Sequence, residues 1–314
     1  MPEMNDKPQA SRPASPDPVR AGNSDRFTRR YLDSLLIETR VVDSALASTQ
    51  MTFLGEDFRT PIMFGVIDGY RHHEGSLVAQ AQAAAEGGTV LWLSSHRSSE
   101  EVAACVATGA KVVLVIKPYA DMDRFLAEAW KAQELGVFAV ASDIDHVFGK
   151  DGELDRQREN IFAPRSVEQL KTIVDALDVP FVAKGILSVQ DALKCKEAGV
   201  AAILVTHHHS IIDYAVPPLM ILPEIRKAVG EDFAIIVDCG LDTGADTFKA
   251  LALGADCVCT ARAFMKCLAG GKEAFLEMLQ TNTGELRHYL NRTNSPDIKH
   301  IDPTVIHLFP YALS

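Results

Sequence analysis

A strand-end lysine, a run of three histidines and a glycine-rich turn leading to an arginine are the groups in this 314-residue chain that could do chemistry. Lys184 closes the apolar run VPFVAK and precedes Gly185. A lysine there is a cofactor ligand, a Schiff-base nucleophile or an edge residue with a snorkelling stem. The run puts its ammonium at the mouth of a sheet or barrel, which favours the first two. His207, His208 and His209 follow ILVT. Side chains of an extended strand alternate between faces, so His208 should point away from its two neighbours. A histidine suits a general base, because its pKa lies near neutrality. A carboxylate from another strand end would orient it, and Asp145 is the candidate. His–X–His is also a metal pattern, but no third ligand stands at metal-like spacing, and His72 and His73 could join only through tertiary contact. No metal is expected, and ordinary loop hydrogen bonds are the plainer alternative. In VDCGLDTGADTFKALALGADCVCTAR, Gly240 and Gly244 let backbone N–H groups face phosphate oxygens. Arg262 could clamp the same phosphate bidentately. Plain packing of a tight turn leaves Arg262 without a role.

The elements that must position these groups recur with a steady rhythm. Eight apolar, β-branched runs read as strands: 61–66, 89–94, 112–116, 138–142, 180–184, 202–206, 234–238 and 256–261. Near-continuous apolar runs such as IIVD suit parallel strands buried on both faces. Helices are expected over 74–86, 98–108, 121–134, 166–176, 188–198, 218–229 and 243–253. Several open on Ser, Thr or Asp and close on Gly, as at Ser166, Gly199 and Gly254. The pattern predicts an α/β protein built as a (β/α)8 TIM barrel. A doubly wound open sheet is the alternative, and no GxGxxG follows the first strand to support it. In a barrel the polar residues at the C-terminal ends of strands face the site. Those are Asp68, Ser94, Ser95, His96, Lys117, Asp143, Asp145, Lys184, the three histidines and Asp238. Phosphate sites form in the loops after strands seven and eight, where Gly240 and Arg262 fall. The long polar segment 143–165 follows strand four and is either a lid or a surface insertion.

Composition narrows the classes. With 47% hydrophobic and 23% charged residues the chain has the make-up of a globular protein. A net charge of −11 argues against nucleic acid as a partner. There is no run of 18 apolar residues for a membrane span and no apolar core of a signal peptide. The six cysteines sit in apolar or helical stretches, and read best as buried thiols in a reducing, cytoplasmic setting. Residues 1–24 lack hydrophobic periodicity and read as a disordered tail, leaving 25–314 as one domain.

Together these motifs resemble the FMN-dependent α-hydroxy acid oxidases and dehydrogenases, the glycolate oxidase and lactate oxidase family, from about Tyr31 to His307. PIMFGVIDGYRHHEG is similar to the family's first-strand motif, and LSSHRSSEEVA to its second, which implies Ser94 as a flavin contact. VPFVAKG implies Lys184 near the flavin N1–O2 edge. ILVTHHHSIIDY lies where the family carries its active-site base, implying His208, and ASDIDH places Asp145 on that base's aspartate partner. The phosphate segment implies Asp238, Gly240 and Arg262 around the ribityl phosphate. The resemblance implies FMN as cofactor and an enzyme that oxidises a 2-hydroxy acid or related hydroxy compound. Hydride passes to flavin N5 while the histidine takes the hydroxyl proton, and oxygen, a quinone or a protein reoxidises the flavin. It also implies a homo-oligomer, as a tetramer. A flavin-dependent isomerase like type 2 isopentenyl diphosphate isomerase and a non-catalytic FMN-binding protein are the alternatives.

Several positions depart from the family pattern. The arginine that grips the substrate carboxylate three residues beyond the base is Ile211 here. A second substrate arginine has only Lys150, Arg156 and Arg158 as counterparts. The glutamine and tyrosine after strand three fall near Lys117 and Tyr119, and a phosphate-segment arginine is Asp242. An isoleucine cannot replace a guanidinium fork, so the usual substrate is expected to change more than the cofactor.

Overall fold

The computed structural model describes residues 21–67, 73, 75–157, 159–209 and 211–309. Residues 1–20, Asp68, His72 and Arg158 lie outside the described residues. Eight parallel strands close into a barrel in sequence order. They are β1 (Ile62–Phe64), β2 (Val90–Ser94), β3 (Lys111–Ile116), β4 (Ala139–Asp143), β5 (Phe181–Ile186), β6 (Ala202–Val205), β7 (Ala234–Val237) and β8 (Cys257–Thr260). Every expected strand is present.

The helices α1 (Ser76–Gly87), α2 (Ser99–Ala107), α3 (Met122–Glu134), α4 (Val167–Asp175), α5 (Val189–Glu197), α6 (Pro218–Val229), α7 (Gly244–Ala252) and α8 (Gly271–Arg292) ring the barrel. The first seven match the expected ones within two residues at each end. Their starts follow local chemistry. The Ser98 hydroxyl accepts from the Glu101 N–H while the Glu101 carboxylate accepts from the Ser98 N–H. Ser166 makes the same box with Gln169. The sequence reading left out α8, the longest helix. Its Phe275 and Leu279 are buried on the cluster that holds the outer faces of the strands.

Strand alternation builds two cores. In β2, Leu91 and Leu93 join the cluster beneath the helices, while Val90 and Trp92 point into the barrel with Val113, Ala141 and Leu204. An antiparallel hairpin, Met51–Phe53 with Glu56–Phe58, feeds Phe53 and Phe58 into the interior cluster. This covers apolar surface at the end away from the strands' C-termini. The hairpin precedes the first expected strand, 61–66, and is not among the expected elements. Burying a side chain of this size stabilises by about 1.5–3 kcal/mol.

The N-terminal helix spans Ser24–Ser34, with the Asn23 side chain accepting from the Arg26 N–H. Asn23 and Ser24 are buried, although sequence assigned both to the tail. The segment after β4 is ordered as a short hairpin, Arg156–Gln157 with Asn160–Ile161, and Phe162 is buried against Tyr119. All six cysteines are buried and none forms a disulfide. Among the described residues no helix is long and apolar enough to cross a membrane.

Candidate active site

At the C-terminal end of the barrel three consecutive strands bring three charges together. Lys117 follows β3, Asp143 ends β4 and Lys184 lies in β5. Lys117 Nζ donates to Asp143 Oδ2 at 2.8 Å and Lys184 Nζ donates to Oδ1 at 2.5 Å. All three side chains are less than 10% exposed. Burial alone would raise the Asp143 carboxyl, but the charges of Lys184 and Lys117 hold it well below the usual carboxylate range. Burial likewise works against the Lys184 ammonium, and the charges of Asp143 and Asp145 outweigh it and raise its pKa.

His208 sits over this group. Its Nδ1 is 3.2 Å from Asp145 Oδ1, and Lys184 Nζ lies 3.5 Å from Nδ1 and 3.4 Å from Nε2. A carboxylate only accepts. The proton therefore belongs on Nδ1, toward Asp145, and Nε2 keeps its lone pair. Space for the Asp145 carboxylate depends on Gly185. A Cβ at residue 185, where φ is +105°, would lie within about 2.6 Å of the Asp145 side chain. A cavity of about 250 Å³ opens beside these groups, lined by Gly65, Ser94, Lys117, Lys184, His208 and Asp238 among others.

The histidine run is not an extended strand at this point. β6 stops at Val205, and His208 and His209 adopt φ of +51° and +52°. The three side chains still part as alternation predicted, but a left-handed turn separates them. His207 is buried, its Nε2 2.7 Å from Thr28 Oγ1 of the N-terminal helix. Only His208 meets Asp145. His209 Nδ1 lies 3.5 Å from Asp25 Oδ1, and Arg262 Nη2 donates to Asp25 Oδ2 at 3.0 Å.

The N-terminal helix thus covers the expected phosphate turn. Cys239 and Gly240 both adopt positive φ, and Arg29 forms a two-bond pair with Asp246 while reaching the Gly240 carbonyl at 3.3 Å. Thr28 and Leu32 lie 3.5 and 3.6 Å from where a Gly240 Cβ would be. Sequence reasoning missed Asp25, Thr28 and Arg29, because nothing in the spacing ties this helix to loops more than 170 residues away. It also missed His146, whose ring stacks on His208 with centroids 5.2 Å apart. The adjacent acidic DID motif was its only signal.

The Asp25–His209 contact carries a pH dependence. Its hydrogen bond to Asp25 raises His209 from 6.5 to about 9 against the effect of burial. A folded-state pKa above the unfolded one stabilises fully below pH 6.5, and the contribution is lost as pH rises through about 9. Wild type should lose melting temperature across this window relative to Asp25→Asn. Parallel melting curves for the two proteins would contradict the assignment.

Among the described residues, two clusters hold metal-type ligand atoms within 4.8 Å of one another: Asp143, Asp145 and His208, and His209, Asp238 and Cys239. The fold therefore supplies third groups that spacing did not reveal. In the first, Asp143 is already shared by two ammonium groups, and in the second Arg262 Nη2 lies 2.9 Å from His209. Positive neighbours make poor surroundings for a cation.

The same donors suit FMN. The cavity offers an ammonium, Lys184, at one wall and a Gly65 without a side chain at another. Ser94, at the end of β2, lines the same cavity. The turn at Gly240 and the half-exposed Arg262 stand where the barrel's phosphate loops fall.

A closed (β/α)8 barrel with a lysine–carboxylate–histidine cluster at its mouth is the architecture of a flavin oxidoreductase. The chain belongs to the FMN-dependent dehydrogenase family, whose model matches residues 20–168 and 153–308, and its cofactor is FMN. It is 28% identical to glycolate oxidase 3 of Arabidopsis thaliana, across 91% of this chain and 89% of that protein. It is 27% identical to an L-lactate oxidase of Lactobacillus jensenii, across 90% and 79%. The fold superposes with a TM-score of 0.80 on an arginine-to-leucine variant of mandelate oxidase solved with 2-hydroxy-phenylacetamide. That pair is 26% identical, covering 90% of this chain and 89% of the other.

Proposed function

We propose that this site oxidises a 2-hydroxy compound with His208 as the general base. The single observation that carries the reading is the Asp145–His208–Lys184 arrangement, which leaves Nε2 unprotonated beside the cavity. Asp145 accepts from Nδ1, fixes the tautomer and stabilises the imidazolium formed when Nε2 takes the substrate hydroxyl proton. Bound FMN supplies a hydride acceptor. Lys184 provides positive charge for the reduced cofactor, with Ser94 as a further flavin contact. Asp238, Gly240 and Arg262 hold the ribityl phosphate end. Arg262→Ala should weaken FMN binding to apoprotein by about 1.5–3 kcal/mol. Unchanged affinity would remove Arg262 from the phosphate site.

Simple 2-hydroxy acids should be poor substrates. Ile211 is half-buried and cannot supply a guanidinium, and Lys150 and Arg156 are solvent-exposed in the segment after β4. The resemblance supports association into a tetramer, and the six buried thiols support a cytoplasmic setting. The test is anaerobic mixing of holoenzyme with glycolate, lactate and their larger 2-hydroxy analogues. Bleaching by larger or neutral analogues with little by millimolar lactate supports the reading. Rapid bleaching by lactate would mean that another cation grips the carboxylate. Isomerisation seen only with pre-reduced flavin would replace oxidation altogether.

A further inference from the structure

Asp25 makes ion pairs that the mechanism above does not use. It stands in the first turn of the N-terminal helix, and two cations from distant loops converge on its carboxylate. Arg262 Nη2 donates to Oδ2 at 3.0 Å, and His209 Nδ1 lies 3.5 Å from Oδ1. The same guanidinium nitrogen is 2.9 Å from His209 Nδ1. Two charged donors hold so short a separation because one anion faces both. Burial alone would raise the Asp25 carboxyl, but the hydrogen bond from His209 and the charges of His209 and Arg262 bring it down to about 2. That bond raises His209 to about 9, so its ring is an imidazolium at neutral pH. His209 also lines the cavity beside Lys184 and Asp238. It joins the cavity wall to the half-exposed Arg262.

We propose that His209 is a cofactor-binding residue that takes the FMN phosphate jointly with Arg262, and that Asp25 is a built-in rival for the same two cations. This deepens the functional reading above and rests on its placement of Arg262 at the phosphate. The local charges argue for exchange. A phosphate monoester carries about −1.5 to −2 at neutral pH, which the two cations balance by themselves. Asp238 already lines the cavity, and Asp242 stands in this turn where the family carries an arginine. A phosphate and the Asp25 carboxylate on one pair of cations would leave an excess of negative charge. Arg29 cannot redress it, because its guanidinium makes a two-bond pair with Asp246. His209 thus supplies the second positive charge that Asp242 does not. Little needs to move. The helix is anchored separately, by Ser24 Oγ donating to the Ile212 carbonyl and by Thr28 Oγ1 against His207. A turn of the Asp25 side chain frees both cations and leaves the helix in place.

The test titrates the apoprotein with FMN and with riboflavin, read by quenching of flavin fluorescence. Riboflavin has the same ring and ribityl chain without the phosphate, so the ratio of the two dissociation constants isolates the phosphate end. Asp25→Asn should bind FMN about 2–5-fold tighter, the size of an ion pair of this exposure, and riboflavin as wild type does. Asp25→Glu keeps the charge and should bind both ligands like wild type. His209→Asn tolerates the positive φ at this position and removes the charge. It should bind FMN about 10–100-fold more weakly, with riboflavin unchanged. Unchanged riboflavin binding also shows that each variant is folded. FMN bound no tighter by Asp25→Asn, or gains and losses shared equally by riboflavin, overturns the proposal. Arg262→Ala separates this proposal from the reading beneath it. If Arg262→Ala and His209→Asn both leave FMN affinity unchanged, the phosphate placement falls and the proposal with it. If Arg262→Ala alone weakens FMN, the placement stands and the role of His209 is overturned.

Discussion

Replacing His208 by alanine is expected to slow flavin reduction by about 10²–10⁴ while FMN stays bound, because that is the usual contribution of a positioned general base. The site loses the imidazole that Asp145 orients beside the cavity. No neighbour can stand in for it. His207 is buried against Thr28, His209 is held by Asp25, and burial and the charge of Lys117 push His146 down to about 4. His207→Ala and His209→Ala should therefore cost far less in rate. Asp145→Asn should also slow reduction, since an amide can donate to Nδ1 and so favour the wrong tautomer. It should do so without much change in the flavin spectrum. Stopped-flow absorbance under anaerobic conditions separates these variants. A wild-type rate in His208→Ala with a slow His207→Ala would move the base by one residue.

Replacing Asp143 by asparagine should be the most damaging single change to stability, at about 3–5 kcal/mol, the usual loss when one partner leaves a buried ion pair. The carboxylate is shared by two buried ammonium groups. An amide keeps the shape and one acceptor oxygen but leaves two largely buried positive charges without a counter-charge between them. Urea unfolding of the apoprotein measures this without interference from ligand binding. Adding Lys117→Met should recover a large part of the loss, because only one ammonium then remains to be balanced. If the double variant is less stable than Asp143→Asn alone, Lys117 does not depend on Asp143 and the cluster is misread.

The barrel was legible because its physics is local. Parallel strands buried on both faces leave near-continuous apolar runs, and capped helices leave Ser or Thr at one end and Gly at the other. The strand-end rule then put Lys117, Asp143, Lys184 and His208 on one face before any distance was known. Three things were not legible. Helix α8 was hidden by a sequence whose Thr281, Thr283 and Gly284 weaken the helical pattern, so packing rather than propensity decides it. The separation of the histidines comes from positive φ at His208 and His209, which alternation cannot foresee. The N-terminal helix contributes Asp25, Thr28 and Arg29 through contacts that are remote in sequence, and no spacing encodes them.

The central claim is that a C–H bond of a 2-hydroxy compound is broken at this barrel mouth with His208 taking the hydroxyl proton. The most direct test compares anaerobic flavin reduction by a reducing 2-hydroxy substrate and by its 2-deuterated form, in wild type and in His208→Ala. Reduction by the deuterated substrate should be several-fold slower in wild type, and His208→Ala should be slow with either. Equal rates for the two substrates in wild type, or a His208→Ala protein as fast as wild type, would contradict the account.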